Sequence, residues 1–182
     1  TYKQFGLFGN IAGATLKNLV FDKTCKLTVT GAFSVSFAAA YSYWSGIFEN
    51  ISVRGTMEKV GATYAGGIVA RVYGGGNMLF TNCESFGAMQ EMTADHLGGL
   101  IGSCGWSGTS NRMLLTACRN AADVSGNGHT GGIIGALQNC PTVTLNQCVN
   151  NGVVSTTANA QCAGGFVGSL GNAALKLTFE NC

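Results

Sequence analysis

Gly98-Gly99-Leu100-Ile101-Gly102 and Gly131-Gly132-Ile133-Ile134-Gly135 carry one pattern, a glycine pair, two branched apolar residues and a glycine, at a step of 33 residues. Gly66-Gly67-Ile68-Val69-Ala70 precedes them by 32 residues and Gly164-Gly165-Phe166-Val167-Gly168 follows by 33. Phe5-Gly6-Leu7-Phe8-Gly9 is a fifth copy, and Val35-Ser36-Phe37-Ala38-Ala39 reads as a degenerate sixth. A fixed period of this size is the signature of a solenoid or array.

A second signature stays in phase with the first. Its cysteine place lies 12 to 16 residues beyond each copy, in Met78–Cys83, Met113–Cys118, Val143–Cys148 and Leu175–Cys182. On spacing, Cys25 closes the first repeat and Ile51 takes the cysteine place in the second. A third element puts Gly55, Gly87, Ala122 and Gly152 four residues after the cysteine place, each two residues before an apolar side chain. Every unit thus holds three short strand-like runs between Gly- and Asn-rich turns. No run can bury its apolar side alone, but stacked units share one continuous core. The chain is therefore expected to be all-β: a right-handed parallel β-helix, or β-solenoid, of about six coils of roughly 33 residues with three short strands each. Residues 1–182 read as a single domain, a segment of a longer repeat protein. A leucine-rich repeat would need a Leu and Asn pattern that is missing. An up-and-down barrel would not repeat its signatures at a constant step.

Composition agrees. With 28 Gly, one Pro, 46% apolar residues and 10% charged, the chain has far less charge than the usual ~25% and too much apolar content for disorder. The ten Lys and Arg are scattered, so no surface tracks nucleic-acid phosphates. Residues 27–48 lack charge over a span long enough to cross a membrane, but polar and apolar residues alternate there, which means strands and no direct membrane insertion.

The Gly-Leu-apolar-Gly runs Gly6–Gly9 and Gly99–Gly102, with the Asn-Cys that follows, resemble the GLUG-motif repeats of bacterial surface proteins. That resemblance implies a β-helical, adhesin-type segment at the cell surface or outside the cell, and carries over no catalytic motif. Open coil ends would make neighbouring repeats, or further copies stacked end to end into a filament, the first partners.

Candidate functional residues fall into four groups. Tyr43, Trp44, Tyr73 and Trp106 follow the glycine signature on three consecutive coils, and rings gathered in one turn would suit stacking on glycans or packing on a partner. His96 and His129 share one repeat position with Tyr64 and Cys162; the two imidazoles are weighed as a metal pair, but no Asp or Glu completes the column, and stacking is preferred. Cys104 and Cys140, placed in the variable turn of consecutive coils, are a candidate disulfide, while Cys25, Cys83, Cys118, Cys148 and Cys182 are expected to stack inward. Asn50, Asn82, Gln147 and Asn181, one before the cysteine place, suggest an amide ladder. The eight carboxylates are dispersed in repeat register and no serine-nucleophile motif occurs, so no catalytic residue and no cofactor is assigned. The expected role is a structural or adhesive module. Glycan binding through the aromatic residues is the first alternative, and a polysaccharide-degrading β-helix enzyme the second.

Overall fold

The computed structural model describes residues 3–105, 112–157, 162–171 and 175–182. Among the described residues there is no helix, and the strands pair in parallel from coil to coil as a β-solenoid. One face is built from strands that run into the glycine signature: Gln4–Phe5, Ala32–Ser36, Gly61–Gly66, Met89–Gly98, His129–Gly131 and Cys162–Gly164. The second face holds the strands that leave it: Phe8–Ala12, Ala39–Tyr43, Val69–Tyr73, Ile101–Gly105, Ile134–Gln138 and Val167–Leu170. The third carries the approach to the cysteine place: Thr15–Phe21, Gly46–Val53, Asn77–Thr81, Arg112–Thr116, Thr142–Asn146 and Lys176–Glu180. Six strands stacked on a face enclose about five complete turns, one fewer than the count of signature copies suggests. At the usual strand spacing the stack rises about 24 Å.

The glycine pair is explained by two different close approaches. A Cβ on Gly66 would lie 2.2 Å from the Val69 carbonyl and 2.5 Å from the Gly102 nitrogen. The first glycine therefore lets the chain fold sharply, so that the first and second faces meet outside the core in a narrow crease. A Cβ on Gly99 would meet the Asn120 side chain at 2.5 Å. The second glycine leaves room inside for a buried polar residue of the third face. Asn120 fills it, donating to Asn150 Oδ1 at 2.8 Å and to the Ala122 carbonyl at 2.9 Å.

The apolar residues of the signature and of the cysteine approach make the core. Ile68, Leu100 and Ile133 are buried in one column. Phe166 continues that row in an end coil and is half-buried, whereas Leu7, in a first coil one residue shorter here, donates its N–H to the Phe37 carbonyl and is exposed. Phe48 and Phe80 stack with centroids 4.7 Å apart. The cysteine column is real for Cys83, Cys118 and Cys148, which are buried, and Cys182 continues it in an end coil. Each thiol donates to a carbonyl of the coil before it, as Cys118 does to Phe80 at 3.5 Å.

Two alignments of the degenerate early coils are corrected by the pairing. Leu19, not Cys25, stands opposite Ile51 at the cysteine place. Cys25 lies instead opposite Gly55 in the third element, its carbonyl accepting from the Thr56 N–H. The sixth glycine copy is shifted by one residue, because Ser36 rather than Val35 pairs with Gly66. Neither early coil carries the glycine pair or the cysteine, so spacing had nothing to anchor on.

Candidate functional site

Side chains flanking the glycines point into the crease from both walls. On one wall the row is Gln4, Ser34, Tyr64, His96, His129 and Cys162. On the other, Asn10, Tyr41, Arg71, Ser103, Ala136 and Ser169 form one row, and Ala12, Tyr43, Tyr73, Gly105 and Gln138 the next. None of these three rows contains a carboxylate.

At the N-terminal end the crease is lined with rings. Tyr41 and Tyr43 stack at 4.8 Å, Tyr43 meets Tyr73 edge-on at 6.0 Å, and Phe33 packs on Tyr41 at 6.2 Å and Tyr64 at 5.2 Å. Arg71 lies among them. The carbon of its guanidinium is 4.4 Å from the Tyr64 ring centre, 4.9 Å from Tyr73 and 5.3 Å from Tyr41, and Nη1 donates to the Tyr41 hydroxyl. Burial pushes the Tyr41 phenol up to about 12, so it stays protonated and keeps its own O–H as a donor. Gln4, Phe33, Tyr41, Tyr43, Arg71 and Tyr73 enclose an open cleft of about 260 Å³. That lies just under the ~300–1,000 Å³ of sites for drug-sized ligands, which suits a single ring.

Farther along, Tyr64, His96 and His129 stack ring on ring, at 5.3 Å between the first two and 5.2 Å between the imidazoles, whose planes differ by 9°. Near-parallel rings direct their nitrogens side by side and not toward one point, so the column is a stack in geometry as well as in register. Gln138 Nε2 lies 3.3 Å from His96 Nε2. The amide nitrogen donates to it when the imidazole carries its proton on Nδ1. Burial first, then the neighbouring His129, lowers His96 to about 4, with Arg71 acting in the same direction and Asp95 opposing.

The four aromatic candidates do not form one ribbon. Tyr43 and Tyr73 face the crease from adjacent coils. Trp44 turns away in a left-handed backbone conformation (φ 64°) and is 62% exposed. Trp106 lies outside the described residues. The sequence reading missed Phe33, Tyr41 and Arg71. Counting alternate positions past the glycine signature would have found two of them, because Tyr41 with Tyr43, and Arg71 with Tyr73, project from the same side of neighbouring strands.

Cys104 is corrected as well: it sits inside its strand and faces the core, not in the turn. Cys140, in the turn after Gln138, is also buried and comes within hydrogen-bonding reach of it; both are free thiols. Burial above all, and then Cys140, push the Cys104 thiol well up. The amide ladder is present in the early coils, where Asn50 donates to Asn18 at 3.0 Å and Asn82 to Asn50 at 3.3 Å, but among the described residues no side-chain bond joins Gln147 to Asn181.

A search against protein families, curated proteins and solved structures finds no match to this chain. What fold and site define is a class: a parallel β-solenoid with an aromatic crease along its outer side, whose three facing rows hold no carboxylate.

Proposed function

We propose that this chain is a non-catalytic, adhesive β-solenoid module that works at the cell surface or outside the cell, and that it adheres to carbohydrate held in the crease. The observation that carries this reading is the cluster of Tyr41, Tyr43 and Tyr73, which line an open cleft at the foot of the crease. Sugar rings present apolar C–H faces and polar edges, and tyrosine offers the matching combination. The groove continues along the coils through His96, His129 and Gln138, so several units of one chain could lie along it. The three facing rows supply no pair of carboxylates for acid–base chemistry, which speaks for holding a polysaccharide over cutting it. The resemblance to GLUG-type repeats supports the exported setting.

A glycan array, followed by calorimetric titration of the best oligosaccharide, tests the proposal. Tyr73→Ala should weaken binding about tenfold, the loss of one stacking surface worth roughly 1.4 kcal/mol, whereas Trp44→Ala should leave it unchanged. An array with no binder, or affinity indifferent to Tyr73→Ala, would refute the reading.

A further inference from the structure

Arg71 is a cation without an anion. The ion pairs among the described residues join Lys17 to Glu49, Lys26 to Glu58 and Lys59 to Glu91, on other parts of the surface. Its Nε is buried with no hydrogen-bond partner among the described residues. A guanidinium carries five N–H donors, and ring faces attract its charge but do not accept those hydrogens in the manner of oxygen. Buried or half-buried charge is ordinarily paired because desolvation is otherwise uncompensated. Unfilled polar atoms gather on the same two walls: Ser103 Oγ, next above Arg71 in its row, and the Nδ1 atoms of His96 and His129. Gly105 occupies the place where Tyr43 and Tyr73 stand on the coils before it. A Cβ there would come within 3.1 Å of Arg71 Nη2, so the missing side chain leaves the guanidinium its room.

We infer that the crease recognises an anionic polysaccharide, with Arg71 as the residue that reads its carboxylate or sulfate. A planar guanidinium matches either oxyanion with two parallel N–H···O bonds. One sugar ring lies against Tyr43 and Tyr73 in the cleft, and its anionic group accepts from Arg71. The absence of Asp and Glu from the three facing rows removes the repulsion that would otherwise oppose an acidic chain.

This inference rests on the carbohydrate reading, and the test separates the two. Three hexasaccharides are titrated calorimetrically against the whole chain: galacturonate, which carries only carboxylates, a sulfated galactose polymer, which carries only sulfates, and a neutral galactose polymer. At least one acidic probe should bind ten times or more tighter than the neutral one, and its affinity should fall with added salt. The tighter acidic probe identifies the anion as carboxylate or sulfate. Arg71→Gln, checked by its circular dichroism and melting temperature, should erase the acidic preference, and Arg71→Lys should keep part of it. If Arg71→Gln fails to fold, the salt dependence of the wild type and Arg71→Lys decide. Neutral and acidic probes binding equally would overturn the anionic inference and leave carbohydrate binding standing. Binding by none would overturn both. An acidic preference untouched in a folded Arg71→Gln protein would remove Arg71 from the site.

Discussion

Ala117 occupies a position whose neighbours in the stack are amides. The row Asn18, Asn50, Asn82, Ala117, Gln147 and Asn181 lies just before the cysteine place, and all six residues hold φ between 50° and 56°. This left-handed conformation costs an ordinary L-residue roughly 1–2 kcal/mol, while Asn tolerates it because its short amide bonds locally. The side-chain ladder from Asn18 through Asn82 has nothing to bond to at Ala117. Ala117→Asn should therefore recover about 1 kcal/mol of backbone strain and add one or two half-exposed amide hydrogen bonds at about 0.5 kcal/mol each. A gain of about 1–2 kcal/mol corresponds to a rise in melting temperature of roughly 2–8 °C for a chain of this size. Ala117→Gly should recover the strain but not the ladder, giving a smaller gain because glycine adds entropy to the unfolded chain. Ala117→Val should destabilise. Scanning calorimetry on the three variants, with Asn82→Ala and the Asn82→Ala/Ala117→Asn double variant, separates the contributions. If Ala117→Asn melts at or below the wild type, or if its gain is the same with and without Asn82, the ladder argument is wrong.

Ile133 is fully buried in the central column, so Ile133→Asp should cost about 4 kcal/mol or more and abolish the cooperative melt; a folded variant would place Ile133 outside the core. His96 stays neutral in the folded chain down to about 4 but takes a proton near its ordinary value of about 6.5 when unfolded. Its contribution is therefore intact above about pH 6.5 and lost as pH falls toward 4, by about 3 kcal/mol in all. Urea titrations across that range should show a slope that His96→Gln removes, and an unchanged slope would contradict the burial argument.

Periodicity alone made the architecture legible. The glycine pairs at Gly66, Gly98, Gly131 and Gly164 and the cysteines at Cys83, Cys118 and Cys148 recur in phase, and a repeated unit that cannot bury its own face must stack. The same register arithmetic placed Tyr64, His96 and His129 in one column. It failed where the repeat is degenerate: Cys25 and Val35 were set one strand or one residue away from their true partners, since nothing local marks register once glycine and cysteine are gone. The crease was beyond its reach for a different reason. Repeat arithmetic says which residues of successive coils lie above one another, but not how two strands of one coil are inclined. The angle at Gly66 comes from backbone atoms packed closer than any side chain allows. Only that fold brings Arg71 on one wall within 4.4 Å of the Tyr64 ring on the other and turns separate rows of aromatic, imidazole and hydroxyl groups into one groove.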